Sequence, residues 1–301
     1  MMNIDKIKGI IVPIITPVDE NEHIDEVKLR FMVDHVIENG VHGILAFGSN
    51  GEFYMFDDEE LENAFEIIMD QTNGRVPVYF GIGAIRTRKA IQLAKMAEAH
   101  GAFGVSILQP MFVKPTYEEL YDHFKAVSEA IPNTPVLLYN NPGKTGYTMT
   151  ANLVDQLAHN LPNIVGMKDS SGDFSLLSEY IRRTRDIEFN VLAGKDTLIF
   201  PGLCMGATGA VCSTANMFGP LVTSIYNKYV QGDVQGALEA QFTLNPIRIS
   251  QDNASFPAAT KDMSNLLGLD VGNPVLPIKS SQGEVLENMK NKIEESELLS
   301  R

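Results

Sequence analysis

The sequence predicts an α/β fold, a (β/α)8 TIM barrel with a C-terminal helical extension. Three observations carry that prediction. A short apolar run is followed by a longer amphipathic run, again and again. The repeat is about 25–30 residues, the size of one strand–helix unit. The connections are short, as in alternating strands and helices of a parallel sheet. Gly9 to Thr16 is the first strand and Asp25 to Asn39 the first helix. His42 to Phe47 is strand two, followed by a helix over Asp58 to Thr72. Pro77 to Ile82 is strand three, and its helix, Thr87 to His100, stops at Gly101. Gly104 to Gln109 is strand four, with Thr116 to Ala130 as its helix. Pro135 to Asn140 and Asn163 to Lys168 are strands five and six, with a helix near Thr150 to His159 between them. Phe189 to Ala193 and Gly209 to Cys212 complete eight. Eight units within about 210 residues favour the closed barrel over a doubly wound open sheet.

Beyond Ser213 the pattern is helical: Pro220 to Val230, Asp233 to Arg248, Phe256 to Leu267 and Glu284 to Glu297. Only the first of these can be the eighth barrel helix. The chain therefore divides into a catalytic barrel, residues 1–230, and an extension, residues 231–301, with the break at Pro246 as an alternative start. The periodicity leaves open whether the extension packs between subunits or covers the barrel. Fraying is expected at the last few residues only.

Composition narrows the function. With 44% apolar and 21% charged residues, the 301-residue chain reads as a soluble globular protein with a large core. The two cysteines, Cys204 and Cys212, are too few for a disulfide framework and match no zinc spacing. They read as buried thiols near neighbouring strands in a reducing compartment. A net charge of −14 disfavours a nucleic-acid partner. The opening apolar run is broken by two prolines and lacks a small-residue cleavage site, so no signal peptide is expected. No apolar stretch is long enough for a membrane span, and the expected location is the cytoplasm.

Active sites in this barrel lie at the carboxyl ends of the strands. That rule selects Thr16, Gly48-Ser49-Asn50-Gly51-Glu52, Tyr139-Asn140-Asn141-Pro142, Lys168 and Gly194. Lys168 ends the run Asn163-Ile164-Val165-Gly166-Met167 and opens the polar turn Asp169-Ser170-Ser171-Gly172-Asp173. A lysine amine ordinarily titrates near ~10.4, so little of it is free at neutral pH. Burial disfavours the charged form and frees the lone pair for attack on a carbonyl. By period two, Gly166 and Ile164 share its face, and Gly166 leaves room beneath it. The same position suits a snorkelling lysine that caps a strand and bonds Asp169 or Asp173.

Tyr139 ends the neighbouring strand. A phenol beside an imine-forming amine can shuttle protons, although a core tyrosine with a satisfied hydroxyl fits the pattern too. The Gly48 to Glu52 loop offers Ser49, Asn50 and successive N–H groups as a nest for a carboxylate, and is equally a glycine turn. Ser49 can extend a relay from Tyr139. The loop is not a phosphate cradle, because the lysine and second hydroxyl are missing. Gly81-Ile82-Gly83-Ala84 lacks the third glycine and downstream acid of a dinucleotide site. Lys144 either brings positive charge over the cleft or is a solvated loop lysine. The backbone at Val211 lines the floor of the site. The histidines show no metal spacing, and His35, His100 and His159 fall in helices, so no metal and no cofactor is expected.

Three motifs, in order and suitably separated, carry a resemblance: GSNGE at Gly48 to Glu52, YNNPGKTG at Tyr139 to Gly146, and GMKD at Gly166 to Asp169. Together they resemble the dihydrodipicolinate synthase / N-acetylneuraminate lyase family of Schiff-base aldolases, over essentially the whole barrel. The resemblance implies that Lys168 forms a Schiff base with pyruvate or another 2-oxo acid, with Tyr139 as proton shuttle. It implies that Ser49 and Asn50 hold the carboxylate, that Ser49 joins the relay, and that Gly194 and the Val211 backbone line the pocket. It also implies small-molecule substrates, no metal, and a homotetramer built as a dimer of dimers.

The departures bear on the second substrate. Dihydrodipicolinate synthases usually carry P-Y-Y where this chain has Pro110-Met111-Phe112, an arginine where it has Lys144, and Thr-Thr where it has Ser49-Asn50. A missing relay hydroxyl and a lost bidentate fork weaken assignment to those synthases, and the GSNGE form resembles members that cleave hydroxylated 2-oxo acids, which puts cleavage of a 2-keto-3-deoxy acid or 4-hydroxy-2-oxoglutarate first. Condensation of pyruvate with aspartate semialdehyde comes second. Two other readings are a barrel that binds phosphorylated sugars through glycines near Gly194 and Gly206, and a non-catalytic 2-oxo-acid-binding protein.

Overall fold

The computed structural model describes residues 4–296. The first three residues of the N-terminal run, the expected helix end at Glu297 and the fraying of the last residues lie outside them. Eight strands, β1 (Gly9–Pro13), β2 (Gly43–Ala46), β3 (Val78–Ile82), β4 (Gly104–Leu108), β5 (Val136–Asn140), β6 (Ile164–Asp169), β7 (Asn190–Ala193) and β8 (Gly209–Val211), form a closed parallel barrel. Closure comes from β1, which pairs with both β2 and β8. Around the strands run α1 (Glu26–Glu38), α2 (Asp58–Thr72), α3 (Thr87–Ala99), α4 (Tyr117–Ala130), the one-turn α5 (Pro142–Thr145), α6 (Ala151–Asn160), α7 (Phe174–Thr184), α8 (Ile199–Met205) and α9 (Gly219–Val230). The extension contributes α10 (Val234–Ser250), α11 (Ala258–Leu266) and α12 (Gly283–Glu295).

Alternation along each strand divides the core in two. Ile11, Leu45, Tyr79, Leu137, Leu192 and Val211 face inward and, with Ile7 and Val165, fill the barrel below the site. The residues between them, such as Ile10, Ile44, Phe80 and Val191, face outward against the helices. Helix starts follow ordinary capping chemistry: Asp25, Thr116, Thr150 and Asp173 each accept a backbone N–H from the first turn.

Several expectations change. The strands end earlier than the apolar runs: Ile14, Phe47 and Cys212 stay buried after the ladder has ended. Two helices, α7 and α8, lie where the periodicity names none. Helix α7 has a legible cap at Asp173 and buries Leu177, Tyr180 and Thr184. Helix α8 is obscured by Pro201 and Gly202, yet Pro201 falls in its first turn, where an N–H has no partner to lose. Helix α10 continues through Pro246 to Ser250, because buried Leu244 and Ile247 anchor the chain on both sides of the proline. Cys204 is exposed, on the outer face of α8 beyond the buried Gly202 and Leu203, whereas Cys212 is buried after β8. His100 meets Glu66 at 2.8 Å and His159 meets Asp155 at 3.1 Å, both on the surface. Among the described residues no helix is long and apolar enough to cross a membrane, and no group of His, Cys, Asp and Glu is arranged to hold a metal.

Helix α10 packs along α9, and its end, with the turn after it and α11, reaches the carboxyl-end mouth of the barrel. The extension thus covers the barrel.

Candidate active site

A cavity of about 340 Å³ opens at the carboxyl ends of the strands and is walled by residues far apart in sequence. Lys168 and Tyr139 sit in register on β6 and β5, so their side chains enter the barrel side by side. Lys168 is buried, and its Nζ lies 4.3 Å from the centre of the Tyr139 ring. The alternative snorkelling contacts are not made: Asp169 is engaged by Asn140 and Ser171, and Asp173 caps α7. Gly166 answers to a tighter constraint than room for the lysine. A Cβ there would come within 2.5 Å of the Asn190 carbonyl and 2.9 Å of Leu137.

The Tyr139 hydroxyl stands 3.5 Å from Ser49 Oγ and accepts from Asn141 Nδ2 at 2.8 Å. Burial pushes this phenol up. The Lys168 charge and bonds from Ser49, Asn141 and Ser170 outweigh burial, leaving Tyr139 below its ordinary value. A phenol so held exchanges its proton more readily at neutral pH than a free one.

The Ser49–Gly51 segment is a single 3-10 turn entered from Gly48, and Ser49, Asn50 and Gly51 are all buried. It is flanked by two residues with left-handed backbone, Phe47 at φ 52° and Glu52 at φ 53°. Neither is glycine, and each such residue carries local strain that surrounding structure must hold. Gly51 is bonded through its carbonyl to Thr16 Oγ1 at 2.8 Å. Thr16 therefore supports the loop from behind and does not line the cavity.

Ser49, Asn50, Lys144, Gly194 and Val211 all line the same cavity as Lys168 and Tyr139. Gly48 stands just outside it, as the cap of the Ser49–Gly51 turn. Gly194 is required by crowding, since a Cβ would meet Ser170 Oγ at 2.2 Å and the Asp169 carbonyl at 2.8 Å. Lys144 reaches over the cleft, its Nζ 4.4 Å from the centre of the Phe256 ring. Burial holds its ammonium below the usual range, and nearby Lys195 adds to that effect. Gly206 ends α8 in a left-handed turn, which accounts for that glycine.

Sequence reasoning missed part of the wall. Asn141, Ser170 and Ser171 belong to segments already singled out, the Tyr139-Asn140-Asn141 run and the polar turn after Lys168. Lys195, Arg248, Phe256 and Thr260 also line the cavity. Three of these come from the extension, where nothing in the periodicity marks them.

Residues 6–296 match the model of the Dihydrodipicolinate synthetase family. The chain is 33% identical over 295 residues to 4-hydroxy-tetrahydrodipicolinate synthase of Methanopyrus kandleri, covering 98% of both chains. It is 37% identical over 287 residues to the protein of the same name from Trichlorobacter lovleyi, covering 93% of this chain and 96% of that one. Its fold superposes on the crystal structure of dihydrodipicolinate synthase from Thermotoga maritima with a TM-score of 0.93 and 28% identity, covering 97% of this chain and 99% of that one.

Proposed function

Because the chain belongs to the dihydrodipicolinate synthetase family of Schiff-base-forming lyases, we propose that it condenses pyruvate with aspartate semialdehyde, with Lys168 as the nucleophile. The observation that carries the chemistry is a buried amine over a phenol in a cavity beside the Ser49–Gly51 turn. The Lys168 amine adds to the ketone carbon of pyruvate, and the resulting carbinolamine loses water to give an imine. Tyr139, relayed through Ser49, supplies and removes the protons of those steps. Ser49 and Asn50 hold the carboxylate, and Gly48 precedes them as the cap of their turn. Gly194 and Val211 close the side and floor. The imine withdraws electrons from the methyl carbon, which loses a proton and adds to the aldehyde; water then releases the product and restores the amine.

This choice reverses the order that Ser49-Asn50, Lys144 and Met111-Phe112 suggest from sequence. The names of the relatives support the synthase reaction. Lys144 and Lys195 along the cavity wall, with Arg248 paired to Asp252 beside them, suit an acceptor aldehyde with its own carboxylate over a neutral hydroxyaldehyde. Cleavage of a 2-keto-3-deoxy acid or 4-hydroxy-2-oxoglutarate remains the second reading. What favours it is Phe112, which is 95% exposed and brings no hydroxyl to the cavity of its own chain. The expected assembly is a homotetramer, checked by sedimentation, and the expected location is the cytoplasm.

The test is pyruvate with borohydride. A covalent mass is expected at Lys168 in the native protein and not in Lys168→Ala; a folded native sample with no adduct rejects the mechanism. Acceptors are then compared: aspartate semialdehyde, glyoxylate and neutral hydroxyaldehydes. Selectivity for aspartate semialdehyde is expected, and preference for any of the others installs the second reading.

A further inference from the structure

Two successive residues of α11 grip the loop that faces the substrate. Thr260 Oγ1 donates to Asn50 Oδ1 at 2.9 Å, and both residues line the cavity. The next residue, Lys261, is fully buried and lies 2.6 Å from the equally buried Glu52 carboxylate. Each partner also has a backbone contact, although Glu52 Oε2 makes the ion pair without hydrogen-bond geometry. Lys261 Nζ donates to the Asn273 carbonyl at 2.9 Å, and Val275 N donates to Glu52 Oε1 at 2.9 Å. The contacts to Asn50 and Glu52 span more than 200 residues of sequence and end on the loop's two critical points: the side chain that faces the cavity and the left-handed residue that ends the turn.

An asparagine amide has one accepting end and one donating end. With the oxygen of Asn50 taken by Thr260, the amide presents its Nδ2 donor elsewhere. We propose that Thr260 is a positioning residue for the oxo-acid carboxylate: it fixes the Asn50 amide with Nδ2 toward the bound anion, while the Lys261–Glu52 pair holds the loop in place. The inference rests on the pyruvate reading of this site. Without the Thr260 hydroxyl the amide is free to turn its oxygen toward the carboxylate, exchanging an attraction for a repulsion.

The experiment measures the pyruvate concentration that half-saturates borohydride trapping at Lys168, and the same quantity for methyl pyruvate, which has no carboxylate charge. Thr260→Val is expected to raise the pyruvate value roughly tenfold, the worth of one hydrogen bond to a charged group. The effect on methyl pyruvate is expected to be small, so discrimination between acid and ester falls. Thr260→Ser is expected to restore it. In an Asn50→Ala background, Thr260→Val is expected to add nothing. If the valine variant does not fold, Thr260→Ala removes the same hydroxyl and carries the same expectations. Equal loss of affinity for acid and ester, or an unchanged effect without Asn50, overturns the proposal. No adduct in the native protein overturns it together with the Schiff-base reading. An adduct with native-like discrimination in the Thr260 variants overturns this inference alone.

Discussion

At the scale of single residues, Tyr139 stands between opposed influences. Burial favours its neutral phenol, and the Lys168 charge with three hydrogen-bond partners favours the ionised form and prevails. Asn141 is one of those partners, donating at 2.8 Å. Removing a donor disfavours the ionised form, so Asn141→Ala is expected to move the Tyr139 titration to higher pH. The measurement is tyrosinate absorbance against pH, taken as the difference from Tyr139→Phe; an unmoved or lowered titration contradicts the assignment. Tyr139→Phe itself is expected to slow both turnover and the rate of adduct formation at Lys168 by about 10²–10⁴-fold, the usual worth of a positioned acid–base group. The residues of this relay were legible because each closes a strand and sits in a recognisable motif. Asn141 lies in the same motif with no role legible there, since only the folded turn brings its amide back onto the Tyr139 oxygen.

At the scale of elements, the Ser49–Gly51 turn depends on a partner that sequence does not disclose. Phe47 and Glu52 hold left-handed backbone on either side of it, and that strain must be offset by contacts elsewhere. Glu52 supplies one through Lys261, both fully buried. Lys261→Met leaves an uncompensated carboxylate in the core and is expected to cost about 3–5 kcal/mol, read from denaturant unfolding. Replacing both partners, Glu52→Leu with Lys261→Met, is expected to recover a large part of that loss, because the apolar pair no longer buries a lone charge. A single variant within about 0.5 kcal/mol of the native protein contradicts the account, since that is the range of ordinary surface changes. Periodicity identified α11 as a helix but not its task. Its Thr260 and Lys261 look like ordinary polar residues in a run whose pattern does not say what it packs against.

At the scale of the whole molecule, the barrel supplies the proposed reacting residues, Lys168 and Tyr139, and the extension completes the cavity wall. Arg248, Phe256 and Thr260 line its wall from the extension, so we propose that the division at residue 230 separates topology and not function. A chain ending at Val230 is expected to lose trapping of pyruvate at Lys168, and to lose thermal stability as Glu52 and the loop lose their partners. Adduct formation in the shortened chain at native pyruvate concentrations contradicts this. The sequence by itself determined the strand–helix repeat, the closed barrel, and the convergence of Gly48–Glu52, Tyr139 and Lys168 on one rim. Those follow from local periodicity and a fixed topological rule, and neither needs distant contacts. Only the tertiary structure decided what the extension covers, that Glu52 pairs with Lys261, and that Thr260 bonds the Asn50 amide. These are contacts between segments more than 200 residues apart, and no local pattern encodes which buried polar group will find which partner.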